Sequence, residues 1–268
     1  MLSGLSQINI ELSAVCDKRT LCGFCGHQDD KINPNKKGAI DFALLRNIIE
    51  QLPENIIVQF HRDGEPTAYN NLLEVLLLCK WGYLITSVVT HGENLSKKAG
   101  EIIGNCTSLT VSAFNGDPDM EWQIENIKKF LEIKGDRPPM VNIKIVGFMP
   151  PERERIYASL GIPIIRRLLH VPDGNYRYVR RHPTVPEHGI CLDFLHHPSI
   201  DWKGRLFICN RLDPSDAGLL GDLNESTLDE LWNSPKRMEM LRAHMAGRRD
   251  LANPLCARCI YFGVPSEM

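Results

Sequence analysis

Up to about residue 175 the chain alternates short apolar runs with longer stretches in which apolar positions recur every three or four residues. Residues 7–12 alternate apolar and polar side chains, and 56–60, 84–89, 109–113, 141–146 and 162–169 form further short apolar runs, so six strands are predicted. Helical spacing occupies 41–51, 72–80, 95–103, 121–133 and 152–160, with Asp41 placed to cap the first helix and Pro150-Pro151 to open the last. Strands alternating with helices imply parallel pairing through crossover helices. Six units are too few to close an eight-fold barrel, so the expected fold is α/β, a partial (β/α)6 barrel.

Past residue 181 the pattern changes. Pro183, Pro186 and Gly189 interrupt the chain, residues 199–208 read as a hairpin turning at Trp202-Lys203-Gly204, and short helices are predicted over 227–233 and 235–245. The expected division is a barrel over residues 1–182 and a small module over 183–268, built from a β-hairpin and short helices. A segment of roughly 85 residues builds only a small core, so a metal centre would add stability there.

Composition narrows the class. With 268 residues, 43% of them hydrophobic, the chain can bury a full core; a net charge of -2 argues against a broadly electropositive surface for nucleic acid. No apolar run approaches membrane-spanning length, and the first residues lack the apolar region and cleavage site of a secretion signal, so the expected setting is cytoplasmic, with no membrane partner. Nine cysteines in a reducing compartment point to metal ligation.

Their grouping is informative. Cys16, Cys22 and Cys25 follow the first strand, whereas Cys191, Cys209, Cys256 and Cys259 lie in the C-terminal segment. Three thiolates leave one iron of a four-iron cluster open for chemistry, while four close the coordination shell. Zinc is the competing reading for both groups, with His27 as a fourth ligand in the first and the terminal Cys256-Ala-Arg-Cys259 pair as half of a zinc ribbon in the second. Cys79 and Cys106 read as packed, inert thiols.

The segment Cys16-Asp-Lys-Arg-Thr-Leu-Cys22-Gly-Phe-Cys25 resembles the cluster loop of the radical S-adenosylmethionine (radical SAM) enzymes. The commonest spacing in that family is three residues and then two; here the first gap is five, and the extra residues are expected to bulge outward. Further motifs follow in order: Phe24 where the family places an aromatic residue beside adenine, and Asp63-Gly64-Glu65-Pro66 after the second strand, similar to the family's Gly-Gly-Glu-Pro motif. Thr90-His91-Gly92 after the third strand and Ser112 on the fourth match ribose and carboxylate positions, and Val146-Gly147-Phe148 matches the adenine stretch. Cys191, the Trp202-Lys203-Gly204 hairpin ending in Cys209, Gly221-Asp222-Leu223, Leu231-Trp232 and the last cysteine pair resemble the twitch module, a short form of the SPASM domain. In its shortness and abbreviated auxiliary module the chain is similar to the aminocyclitol dehydrogenases of the family.

The resemblance implies two [4Fe-4S] clusters and S-adenosyl-L-methionine. It implies reductive cleavage of that cofactor, a 5'-deoxyadenosyl radical that takes hydrogen from a small polar substrate such as a sugar, aminocyclitol or nucleoside, and an auxiliary cluster that accepts the second electron. Glu65 would meet the methionine ammonium. An external one-electron donor such as flavodoxin or ferredoxin completes the scheme. Arg166, Arg167, Arg177, Arg180, Arg181 and His182 concentrate positive charge after the sixth strand and read equally as an anion-binding patch or a solvated edge. Arg177, His170 and Asp173 are the candidate catalytic residues there. Two other functions stay open: radical modification of a macromolecule, either a ribosomal peptide or a nucleic-acid base, and a non-enzymatic zinc or electron-transfer module.

Overall fold

The computed structural model describes residues 2–20, 22, 37–167, 190–211, 213 and 215–259, with Arg258 described by its backbone alone. Six parallel strands form the expected partial barrel: β1 (Gln7–Ile10), β2 (Ile57–Phe60), β3 (Ile85–Thr90), β4 (Ser108–Phe114), β5 (Met140–Val146) and β6 (Ile164–Arg167). The crossover helices are α1 (Phe42–Glu50), α2 (Leu72–Trp81), α3 (Leu95–Ile102), α4 (Met120–Lys134) and α5 (Pro151–Ala158). Asp41 caps α1 as expected, its carboxylate accepting from the Leu44 amide at 3.0 Å, and Pro151 opens α5.

Strand alternation sorts the side chains. Val141, Ile143 and Ile145 of β5 are buried against the helices, as are Ile8, Ile10, Val58 and Phe60 of β1 and β2. Burying each such aliphatic side chain contributes about 1.5–3 kcal/mol, and this layer holds sheet and helices together. The residues between them, Asn9, Gln59, Asn142 and Lys144 among others, therefore face the concave interior of the sheet. At the β6 edge Arg166 is exposed and ion-paired with Glu154 of α5, the solvated reading of that arginine.

The C-terminal segment begins with the one-turn helix α6 (Leu192–His196) and continues the same sheet. Strand β7 (Ser199–Ile200) pairs parallel to β1, Asn9 opposite Ser199, and β8 (Arg205–Phe207) and β9 (Leu219–Asp222) follow antiparallel. The β7–β8 turn lies where the sequence puts it. Asp201 fixes it by accepting from the amides of Lys203 (3.1 Å) and Arg205 (2.9 Å), and Gly204 takes the left-handed φ of 87°. Helices α7 (Leu228–Trp232), α8 (Pro235–Met245) and α9 (Pro254–Arg258) complete the segment. Trp232 is fully buried, donates its indole N–H to the Ser3 carbonyl at 2.9 Å, and lies against the Arg237 guanidinium. Among the described residues no helix is long and apolar enough to cross a membrane.

Candidate functional site

The carboxyl ends of the strands carry the first group of residues. The chain leaves β1 through Glu11 to Ala14 and reaches Cys16, which is half-buried, as is Cys22. Cys25, Phe24 and His27 lie outside the described residues. The segment after β2 passes against this exit: a β-carbon on Gly64 would sit 1.9 Å from the Ser13 carbonyl oxygen, so only glycine fits, and the Glu65 amide donates to the Val15 carbonyl at 3.0 Å. Asp63 donates its amide to the Glu11 carboxylate at 3.2 Å.

Glu65 is 2% exposed and caps the single 3-10 turn Pro66–Ala68. Its Oε1 accepts from the Thr67 amide (3.0 Å) and hydroxyl (2.6 Å), and its Oε2 accepts from the His91 amide (2.9 Å). These bonds join the ends of β2 and β3 and fix the carboxylate, while Oε2 keeps capacity for another donor. The His91 ring lies 3.0 Å from Asp17 in the cysteine loop. Burial works against the charged imidazole, but Glu65 and Asp17 more than offset it and hold His91 above its ordinary value. The hydrogen bond from His91 in turn holds Asp17 below the usual carboxylate range. Thr90 is buried and accepts from the Gly92 amide at 3.0 Å. Gln123 of α4 ties the carbonyls of His91 (2.6 Å) and Ser112 (2.9 Å), and the Tyr157 hydroxyl holds Gln123 at 2.6 Å.

The second group converges completely. Cys191, Cys209, Cys256 and Cys259 line one cavity together with Phe194, Ile208 and Leu255. Asn253 caps α9, its side-chain oxygen accepting from the Cys256 amide at 2.9 Å and its amide nitrogen reaching the Cys256 sulfur at 3.2 Å. Burial pushes the Cys191 thiol up to about 11 and Cys256 up to about 12, and moves Cys209 far above its ordinary value; neighbouring cysteine sulfurs raise all three further. Arg211 and Arg249 line the same cavity and act the other way on Cys209 and Cys256, but burial outweighs them, so four thiols, none in a disulfide, are poor as thiolates by themselves and suited to a metal centre that adds further positive charge. That donor set fits an iron–sulfur cluster.

The SPASM family, an iron-sulfur cluster-binding domain, matches residues 191–260. Over the whole chain, BtrN in complex with AdoMet and 2-DOIA superposes with a TM-score of 0.60 at 17% identity, covering 95% of this chain and 92% of that one. BtrN in an open conformation gives 0.58 at 15% identity, over 98% and 95% of the two chains. Streptococcus suis SuiB bound to S-adenosylmethionine gives 0.57 at 13% identity, over 95% and 70%. Sequence comparison with curated proteins gives no match. The chain shares the fold of BtrN and SuiB over nearly its whole length, and its residues 191–260 match the SPASM iron-sulfur cluster-binding domain.

On this fold, Cys16, Asp63 to Pro66, Thr90, His91 and Val146 stand at or just beyond the carboxyl ends of β1, β2, β3 and β5, Ser112 lies within β4 near its carboxyl end, and Phe148 is exposed beyond β5. His170, Asp173 and Arg177 lie outside the described residues, as do Arg180, Arg181 and His182. Cys79 and Cys106 are buried in the hydrophobic core, their thiols pushed up to about 12 and about 11 by burial, in keeping with inert packing.

Three features were not foreseen. Of the described residues between Cys16 and Cys22, Asp17, Arg19 and Thr20 are exposed, whereas Lys18 turns inward and is buried. Lys144, opposite Ser112 on the neighbouring strand, faces the barrel interior, where burial and the Arg167 charge push it down to about 8. His61 is held well below its ordinary value by burial and by the charges of Lys144, His197 and Arg211. The signal for Lys144 was present, since it lies between the aliphatic Ile143 and Ile145 and so on the opposite face of β5.

Proposed function

We propose that the chain is a radical SAM enzyme that removes a hydrogen atom from a small polar substrate held on the inner face of the barrel, leading to oxidation or rearrangement. The observation that carries this reading is the bond from the Glu65 amide to the Val15 carbonyl, which joins the Asp63-Gly64-Glu65-Pro66 segment to the loop bearing Cys16. In this reading Cys16, Cys22 and Cys25 hold a [4Fe-4S] cluster with one iron left open, and Cys191, Cys209, Cys256 and Cys259 hold a second, closed one. Together with S-adenosylmethionine the open cluster supplies the 5'-deoxyadenosyl radical.

The chain's own residues bind and orient. The Glu65 carboxylate, fixed by Thr67 and His91, offers Oε2 to the methionyl ammonium. Thr90, His91 and Ser112 meet ribose and carboxylate, and Phe24, Val146 and Phe148 meet adenine. The inner face presents Asn9, Gln59 and Lys144, which suit hydroxyl or carboxyl groups on a substrate. A lysine pushed down to about 8 is partly neutral near neutral pH, so Lys144 Nζ can accept a proton from a substrate hydroxyl beside the carbon that loses hydrogen. Arg177, His170 and Asp173 act in the segment after β6. Residues 1–182 carry the radical chemistry and 183–268 the auxiliary cluster, with a flavodoxin or ferredoxin as external donor. The complex of BtrN with AdoMet and 2-DOIA supports the small-substrate reading. SuiB bound to precursor peptide SuiA favours a second one, a peptide substrate.

The test is anaerobic turnover with deuterated candidates of both kinds, reading deuterium in 5'-deoxyadenosine. Transfer from a small hydroxylated compound supports the reading, and transfer from a peptide alone replaces it with the second. Reduced protein that does not cleave S-adenosylmethionine refutes both.

A further inference from the structure

Five residues separate Cys16 from Cys22, and only one of those described among them turns inward. Lys18 is 6% exposed, while Asp17, Arg19 and Thr20 lie at the surface. Its ammonium donates to the Glu93 carboxylate, lies 3.0 Å from Asp117 Oδ1, and sits 3.7 Å from Asp119 Oδ2. Glu93 belongs to the loop after β3, and Asp117 and Asp119 to the loop after β4. The three carboxylates could together hold a cation, with ligand oxygens within 4.8 Å of one another; the Lys18 ammonium is bonded to two of them.

The residues either side of Lys18 are tied to the same place. Asp17 bonds the His91 ring at 3.0 Å and accepts from the Asn94 side-chain amide at 2.7 Å, and the Arg19 amide donates to Glu93 Oε2 at 3.0 Å. Three consecutive loop residues are therefore fastened to residues 91–94, and the central one is a buried charge whose removal would leave Glu93 and Asp117 buried beside each other without their cation. A longer loop has more conformations to lose on closing around a ligand, and fixing its middle in advance reduces that cost.

We infer that Lys18 is a positioning residue for the first cluster: its buried ion pairs draw the lengthened loop onto the ends of β3 and β4 and so bring Cys16 and Cys22 to one site. This rests on the reading that Cys16, Cys22 and Cys25 ligate a cluster. It adds that a lengthened first gap is tolerated because of a lysine and its two carboxylates.

The test uses full-length protein reconstituted anaerobically, comparing wild type, Lys18→Met, Lys18→Arg and the double variant Glu93→Gln/Asp117→Asn. Iron per chain and the electron paramagnetic resonance of the reduced protein, with and without S-adenosylmethionine, are read for each. A variant with Cys16, Cys22 and Cys25 all changed to Ala supplies the auxiliary signal alone. Lys18→Met and the double variant are expected to lose about half of the iron and the signal that responds to S-adenosylmethionine while keeping the auxiliary signal. Lys18→Arg, which retains the charge, is expected to keep more of the responsive signal than Lys18→Met. If Lys18→Met loads both clusters as wild type does, or loses both in equal measure, the positioning role is overturned. Wild-type protein without any cluster that responds to S-adenosylmethionine overturns the ligand reading itself, and this inference with it.

Discussion

Glu11 is the residue on which a quantitative test of the architecture turns. It follows β1, is 4% exposed, and accepts two backbone amides: Asp63, at the start of the segment after β2, and Trp202, in the β7–β8 turn, each at 3.2 Å. Burial, then the nearby Asp63 charge, pushes its carboxyl up from 4.5 to about 7, with Asp201 adding to the rise and Arg62 opposing it. A rise of about 2.5 at about 1.4 kcal/mol per pK unit amounts to about 3 kcal/mol. The sign follows from proton binding. Between pH 4.5 and about 7 the folded protein keeps a proton that the unfolded chain has released, so this contribution is complete below pH 4.5 and is lost as pH rises through 7. Glu11→Gln is close in shape to the protonated acid and cannot titrate. Its melting temperature should therefore match wild type at pH 5 within a few degrees and pull ahead by pH 8.5. For a chain of this size, about 3 kcal/mol corresponds to a widening of about 6–12 °C. Scanning fluorimetry of both proteins under anaerobic conditions across that pH range measures it. Parallel curves of melting temperature against pH would refute the assignment of a raised carboxyl at Glu11.

Other perturbations probe separate parts of the fold. Lys144 is pushed down to about 8 from 10.5, so the unfolded chain binds the additional proton between those values and stability should climb with pH across that window; Lys144→Met should flatten the climb in denaturation curves taken from pH 7.5 to 10.5. Gly64→Ala forces a β-carbon onto the Ser13 carbonyl and should abolish the spectral response to S-adenosylmethionine while leaving the auxiliary signal in place. Cys209→Ala should remove the auxiliary cluster, seen as a loss of about half of the bound iron, and lower the melting temperature, because that cavity is then lined by three thiols.

The six strands and five crossover helices were legible because their signals are local. Alternation along β5 and the Asp41 cap on α1 need no knowledge of the rest of the chain. Strand β9 escaped because it is four residues long, contains Gly221, and buries only Leu220. Helix α9 escaped for a different reason: Pro254 stands behind the capping Asn253 and opens a helix, where a proline in a tail reads as an interruption. Lys18 was the largest omission. A lysine between Asp17 and Arg19 has every local mark of a solvated loop residue, and only the distant carboxylates Glu93 and Asp117 make it a buried one. The same holds for the cavity of four cysteines: their number and identity are written in the sequence, but their convergence depends on a sheet that brings residue 209 beside residues 191, 256 and 259.

That sheet also bears on how the proposed clusters could work together. The SPASM segment does not hang from the barrel by a linker alone; Asn9 donates its amide to the Pro198 carbonyl and Glu11 to the Ile200 carbonyl, both at 2.9 Å, so β7 is hydrogen-bonded to the strand that leads to Cys16. His197, next to that junction, contacts the side chains of Asn9 at 2.9 Å and Gln7 at 3.0 Å, and the Glu11 carboxylate braces the turn beyond it. Sliding β7 along β1 would break the backbone ladder and strand these buried polar groups together, which makes the joint stiff in the direction that would change the spacing of the cysteine groups. If the proposed auxiliary cluster accepted an electron from a substrate radical, a constant separation from the site of that radical would favour the transfer. Pairing one module into the sheet of the other would provide it through backbone hydrogen bonds, which constrain the side chains of β1 and β7 very little.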